Sequence, residues 1–296
     1  MNLHMPLVSV VLPTYNRSGF YLERAIQSVI NQSYVNWELV IIDNNSSDET
    51  IKSISSFDDK RIKVLTINNN GNIALSRNLG IDNAAGDYIA FLDSDDYWEN
   101  DKLYECLNQL KKNDFDAICH GEFWNYKDKN IKKVYGPAYN FTVDRLLLRG
   151  NCISLSAIVI KKEKIINVGC FSAEEDIITA EDYDLWIKLS KAKLKLQFTK
   201  KILGTYQLHN NSESSNIIRN TYAAIKVIEN HTKDKIRLNR AISNCWKNAG
   251  KLYYKDGSNK NAFKSFIKSL GFNLCDYQLY LYIVLSMIPI NLYKRF

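Results

Sequence analysis

The chain has 296 residues, 46% of them hydrophobic, which is enough for one large α/β domain with a smaller appendage and excludes a disordered or fibrous protein. Lys and Arg total 39 against 32 Asp and Glu, a net charge of +7 that suits an anionic partner surface. No zinc-ligand spacing, basic-region heptad or arginine-rich stripe accompanies that charge, so a membrane or phosphorylated lipid is expected and nucleic acid is not.

The six cysteines stand far apart, which predicts reduced thiols in a reducing compartment. No apolar run reaches the roughly 20 residues of a helical membrane span. The amino-terminal residues lack the charged and apolar regions of a signal peptide, so a cytoplasmic protein is expected.

In chain order, residues 7–12 form an apolar run of strand type, followed by Leu22, Ala25, Ile26, Val29 and Ile30 at helical spacing and a second strand at 39–42. Ser46 with Glu49 has the spacing of a capping box opening a second helix. A third strand is predicted at 62–67, a helix at 73–85 ended by Gly86, and a fourth strand at 88–92. This alternation implies a parallel sheet with crossover helices.

A helix at about 100–112 and a strand near 115–119 follow, then an irregular, lysine-rich surface excursion over 127–133. A strand at 156–160, a helix at 181–192 with an acidic first turn, and a hairpin-like pair at 195–198 and 202–208 complete this part. From about 215 the chain is helical and lysine-rich, with a pattern over 239–270 resembling a tetratricopeptide-type hairpin. Residues 277–290 are apolar and tyrosine-rich, interrupted by Pro289 and followed by Lys294 and Arg295; they suit either peripheral membrane attachment or closure of the core.

Three features carry chemistry. The fourth strand runs into Asp93, Ser94, Asp95 and Asp96, and an open α/β sheet places ligands at that edge, where carboxylates suit Mg²⁺ or Mn²⁺; a solvated acidic turn is the alternative. Asp43 ends the second strand, where it can accept hydrogen bonds from a nucleoside or form a turn. Glu181 and Asp182 open a helix, where a carboxylate can take a proton from an attacking hydroxyl or cap the helix. The aromatic group Phe123, Trp124 and Tyr126 can stack on acceptor sugars or belong to the core.

Together with the opening VSVVLPTYNR, the segments ELVIIDNNSSDET, ALSRNLGIDNAAGDYIAFLDSDD and 168–186 with its EDYDLW resemble the family 2 glycosyltransferases, inverting enzymes with the GT-A fold, over roughly residues 6–212. The resemblance implies an α/β, Rossmann-like GT-A catalytic domain over 1–214, with a nucleotide-sugar-binding half at 1–98 and an acceptor-binding half at 99–214, and a C-terminal α-helical extension over 215–296. By it, Pro13, Thr14, Tyr15, Asn16 and Asp43 would hold the nucleoside and Arg77 would face the nucleotide. Asp93 and Ser94 would contact the ribose region, Asp95, Asp93 and His209 the metal, and Asp182, with Glu181 as second choice, would be the base. Gln207 departs from the Tyr-Arg-x-His-like stretch often found at 206–209, which leaves the diphosphate's cation at this position unassigned. His209, beside Asn210 and Asn211, could equally be a surface histidine.

The resemblance further implies transfer of a hexose from a UDP-sugar donor, with Mn²⁺ or Mg²⁺, to a hydroxyl of an acceptor glycan on a polyprenyl diphosphate, an intermediate of an O-antigen or other surface polysaccharide, at the cytoplasmic face of the inner membrane. A dehydrogenase is disfavoured because the first strand leads into Pro13-Thr14-Tyr15-Asn16 and not Gly-x-Gly-x-x-Gly. A non-catalytic sugar-binding scaffold of the same fold is the remaining alternative. These expectations together require that the carboxylates of Asp95 and Asp182, distant along the chain, converge on a single cleft, one gripping a cation and the other facing an incoming alcohol.

Overall fold

The structure is a computed structural model that describes residues 5–126, 129–209 and 216–288; Lys127, Asn210, Asn211, Pro289, Lys294 and Arg295 lie outside them. The chain folds as two compact units, Met1–Thr142 with Cys152–Ala173 and Lys188–His209, and Val143–Asn151 with Glu174–Ile187 and Asn210–Phe296.

The first unit begins with β1 (Val8–Thr14), α1 (Phe20–Ile30), β2 (Trp37–Asp43), α2 (Thr50–Ser55), β3 (Ile62–Thr66), α3 (Ile73–Asp82) and β4 (Tyr88–Phe91). β1 pairs in parallel with both β2 and β4, and β2 with β3. All seven residues of β1 and of β2 are buried, which is why both are near-continuous apolar runs without alternation. On α1 the buried positions Leu22, Ala25, Ile26 and Val29 follow the helical repeat and pack into the main core with Val8, Val10, Leu39 and Ile41.

Two local expectations give way. α2 starts at Thr50, not under a Ser46 cap, because Ser46 is committed to Asp43 through its N–H at 3.0 Å and its hydroxyl. α3 stops at Asp82, three residues before the predicted end, with Asn83 as its C-cap. Gly86 serves strand packing instead: a Cβ there would lie 2.7 Å from the Leu7 carbonyl and the Ser9 nitrogen.

The unit continues with β5 (Tyr97–Trp98), α4 (Lys102–Asn113), β6 (Ala117–Tyr126) and β7 (Lys129–Lys133). Past α5 (Val143–Arg149), which belongs to the second unit, come β8 (Ile158–Lys161), α6 (Lys162–Asn167), α7 (Glu181–Lys191) and β9 (Leu196–Gln207). The sheet order is β3-β2-β1-β4-β8-β6-β9-β5, with β7 on β6. β8 is antiparallel to β4 and β6, so the sheet is parallel over the first four strands and mixed beyond them.

The lysine-rich stretch is not irregular: β7 pairs antiparallel with β6, Trp124 opposite Ile131, and all its residues are exposed. The expected hairpin at 195–208 is one strand, β9, running parallel to β6 with register shifts around Gly121 that absorb its middle.

The second unit holds α5, the first turns of α7, and α8 (Ile217–His231), α9 (Lys235–Lys255), α10 (Asn259–Phe272) and α11 (Tyr277–Ser286). Ile225, Ile242, Trp246 and Ala249 form one small core, and Ala262, Phe266 and Leu279 another. α9 and α10 are joined at Gly257, whose φ of +80° lies in the left-handed region. Ser243 and Ser269 bridge the two helices, the Ser243 hydroxyl donating to the Ser269 carbonyl at 2.9 Å and the Ser269 hydroxyl to the Ser243 carbonyl at 2.6 Å. All six cysteines are free thiols, with Cys106 and Cys119 buried. No helix among the described residues is long and apolar enough to cross a membrane.

Candidate functional site

The parallel strands β1, β2 and β4 end at one edge of the sheet, and the loops leaving them carry the polar residues of the first unit. Pro13 lies beyond the last β1–β4 pair, where its missing N–H breaks no ladder bond. Thr14 is opposite Asp43 in the register; its hydroxyl is buried and meets no hydrogen-bond partner. A buried hydroxyl left unsatisfied costs about 1–3 kcal/mol, which a bound ligand group can relieve. Tyr15 beside it is 57% exposed, an aromatic face open to stacking.

The loop that follows is tied to the start of α2. Asn16, at φ +44°, receives the Ser47 N–H on its side-chain oxygen and donates its own N–H to the Ser46 hydroxyl at 2.9 Å. Arg17 N–H donates to the Thr50 hydroxyl at 2.8 Å. Asp43 itself holds Ser46 with both carboxylate oxygens, so its turn-forming role is realised while each oxygen keeps a lone pair for a ligand.

The acidic run after β4 divides by residue. Arg77 on α3, 5% exposed, donates to Asp93 at 2.9 Å. Ser94 is buried. Asp95 receives His209 Nε2 at 2.6 Å on the oxygen that Arg17 approaches at 3.6 Å. Asp96 points inward and is fully buried, accepting the Ser156 hydroxyl at 2.6 Å and the Gln207 N–H at 2.8 Å. Burial first, then the charges of Asp95 and Asp93, push its carboxyl well above the usual range.

His209 is therefore no isolated surface histidine: it bonds Asp95 and stacks 6.1 Å from the Tyr21 ring. Among the described residues no group of three or more His, Cys, Asp or Glu is gathered to hold a metal ion. Asp95 and His209 nonetheless offer one carboxylate and one imidazole within 2.6 Å, a donor pair that fits Mn²⁺ or Mg²⁺ when diphosphate oxygens and water fill the other positions. Asp93 fits less well, since Arg77 occupies one of its oxygens.

In the second unit, Glu181 and Asp182 open α7. Asp182 accepts the Asn151 side-chain amide at 2.8 Å on one oxygen and the Tyr183 N–H at 2.6 Å on the other. Glu181 is buried, while Asp182 is half-buried and so the better placed of the two for exchange with a substrate. The Tyr183 hydroxyl donates to the Leu146 carbonyl at 2.7 Å, and Asp184 contacts His231 Nε2 at 2.8 Å, so the two residues after Asp182 anchor this helix start to α5 and α8.

Several of these residues carried no sequence signal. Arg24, whose guanidinium donates to the Asp95 carbonyl at 3.0 Å, and Tyr21 lie on α1 and Ser156 in the turn before β8 with nothing to mark them, and Asn151 reaches Asp182 only through the fold. Trp124 is half-buried against Tyr206 at 5.6 Å and donates to the Tyr135 hydroxyl, while Tyr126 is exposed.

Comparison with known proteins adds to this geometry. Residues 9–162 match Glycosyl transferase family 2. The UDP-Glc:alpha-D-GlcNAc-diphosphoundecaprenol beta-1,3-glucosyltransferase WfgD of Escherichia coli is 32% identical over 71% of this chain and 80% of its own. S. aureus TarS 1-349 in complex with UDP superposes with a TM-score of 0.60 at 18% identity, over 89% of this chain and 80% of that one. The mannosyltransferase PcManGT from Pyrobaculum calidifontis, in complex with GDP-Man and Mn²⁺, gives 0.59 at 15% identity over 96% and 85%. At these identities the two structures bear on the fold alone, whereas the family match spans more than half of the sequence. The strand-end aspartates, the mixed sheet and that match make the chain a glycosyltransferase of family 2 with the GT-A fold.

Proposed function

We propose that the protein transfers a hexose from a UDP-sugar to a hydroxyl of a lipid-linked glycan, with inversion at the anomeric carbon. The observation that carries this reading is the Asp95–His209 contact in the loop after β4, on the same strand-end edge as the buried, unpartnered Thr14 hydroxyl that ends β1. Both are what a nucleoside-diphosphate site needs: a cation-binding pair for the diphosphate and an unsatisfied polar group for the nucleoside.

The uracil and ribose would lie against Tyr15, Thr14, Asn16 and Asp43, with Arg77 holding Asp93 toward the ribose and Ser94. Asp95 and His209 would hold Mn²⁺ or Mg²⁺, which supplies neutralisation of charge on the departing diphosphate. Asp182 would take the proton of the acceptor hydroxyl as it attacks opposite the diphosphate. Asn151 supports that role by fixing one oxygen, while Glu181 is the buried second choice.

The relative WfgD supports the donor and acceptor class: its name specifies UDP-Glc and a diphosphoundecaprenol-linked GlcNAc. For the cytoplasmic face of the inner membrane that this reading assigns, attachment to a lipid surface is supported by α11 and its C-cap, where Tyr277, Tyr280, Leu281, Val284 and Met287 recur at helical spacing and are 79%, 50%, 59%, 56% and 64% exposed. On the same helix Leu279 and Ser286 are buried, so the exposed stripe is a distinct apolar face.

The test is a donor panel. The protein is incubated with Mn²⁺, a diphosphoundecaprenol-linked GlcNAc analogue and UDP- or GDP-hexoses, and product is followed by mass spectrometry. UDP-hexose transfer that EDTA abolishes and added Mn²⁺ restores is expected. Failure to bind UDP or to turn over any donor would replace this reading with that of a scaffold.

A further inference from the structure

Arg24 sits in the middle of α1, yet its guanidinium reaches the strand-end site of the first unit. Its Nη2 donates to the Asp95 carbonyl at 3.0 Å and to the Gln207 side-chain oxygen at 3.2 Å. The charge lies 4.1 Å from the Tyr97 ring centre, 5.1 Å from Phe20 and 5.3 Å from Tyr21. Its Nε is buried without an acceptor, and the described residues give it no ion pair with a carboxylate.

The neighbouring charges are differently placed. Arg77 is paired with Asp93, and Arg17 approaches Asp95. Arg24 is thus the half-buried arginine of this site whose direct contacts are neutral oxygens and aromatic faces. A desolvated guanidinium with no direct anionic partner is costly, the charges of Asp96 and Asp95 offset only part of that cost, and an anion arriving beside it removes more of it.

Gln207 explains why the charge can stand here. Its amide accepts from Arg24 and donates to the Asn125 side-chain oxygen at 3.1 Å, a two-way connection that a residue with donors only could not make. An arginine at 207 would set two guanidiniums against each other. Resting on the reading of this edge as a nucleoside-diphosphate site, we propose that Arg24 is a donor-binding residue that contacts the diphosphate, and that positions 24 and 207 form a reciprocal pair in which one cation is carried by α1 in place of the end of β9.

Calorimetry with UDP, and saturation-transfer NMR with uridine, separate phosphate recognition from nucleoside recognition in the full chain, with and without Mn²⁺. Arg24→Gln is expected to weaken UDP binding on the order of tenfold to a hundredfold, the loss of one charge-assisted bond pair, while leaving uridine binding unchanged. The double variant Arg24→Gln/Gln207→Arg is expected to recover most of the UDP affinity. If Arg24→Gln does not fold, Arg24→Lys, which keeps the charge and loses the fork, carries the same comparison with a smaller loss. Wild-type-like UDP binding in the folded single variant, or an equal loss of UDP and uridine, would overturn the assignment of Arg24 alone. Absence of UDP binding in the unaltered protein would instead overturn the site reading on which it rests.

Discussion

Asp95 and Asp96 are adjacent in the chain and opposite in environment. Asp95 faces His209 and Arg17, whereas Asp96 is sealed beneath them and ties Gln207 and Ser156 to the loop after β4. The acidic run was legible as a ligand edge, but which carboxylate points outward depends on Ser156 and Gln207, roughly 60 and 110 residues away, so nothing local encodes it. Asp182→Asn is expected to lower the transfer rate by about 10²–10⁴ with UDP binding kept, while Glu181→Gln changes the rate far less; steady-state kinetics with calorimetry checks both. Glu122 on β6 gives a second prediction. Burial pushes its carboxyl from 4.5 up to about 7, against hydrogen bonds from Tyr135 at 2.7 Å and Ser154 at 3.1 Å. The folded state therefore binds more protons than the unfolded chain between pH 4.5 and 7, so this residue's contribution is fully present below 4.5 and is lost as pH rises to about 7. Lys102, driven by burial down to about 7, acts in the opposite sense above that pH. In Glu122→Gln the amide keeps both neighbours, and the fall in stability from pH 4.5 to 7, on the order of 3 kcal/mol, should disappear in denaturant titrations compared with the unaltered protein.

At the scale of elements, hydrophobic period located β1, α1, β2 and β4 to within a few residues, because each buries its apolar positions in the sheet's core, and it located β3 although only Ile62 of that strand packs, half-buried, against the core and Val64 is exposed. It failed where a partner strand set the outcome. β7 has no apolar alternation and exists because β6 offers it a ladder, and β9 is continuous because β6 runs alongside it through two register shifts. The helical hairpin of α9 and α10 was legible from its small residues, though not the contact that makes one of them indispensable. A Cβ on Gly250 would lie 2.4 Å from the Phe266 ring, which is itself almost wholly buried. Gly250→Ala adds about 1 kcal/mol of helix propensity but overpacks this contact by about 1–3 kcal/mol, so the clash prevails. A fall in melting temperature of about 2–4 °C is expected by calorimetry.

For the whole molecule, the proposed attachment to a lipid surface draws on the net charge of +7 and the apolar face of α11 together, since a charge excess or a single apolar face alone gives only weak, reversible binding. Leu281→Glu with Val284→Glu should abolish co-sedimentation with phosphatidylglycerol vesicles while leaving UDP binding intact, and raised salt should weaken the attachment of the unaltered protein. The resemblance of its ordered motifs pointed to the family, while apolar period and strand-end chemistry, which are local properties of the chain, by themselves determined the α/β class and the strand edge that carries the aspartates. Only the tertiary structure decided that Asp95 meets His209, that Asn151 steadies Asp182, and that a cation from α1 stands beside Gln207. Those contacts join residues 31 to 183 positions apart, and their distances follow from how strands pair and helices pack, which no window of sequence contains.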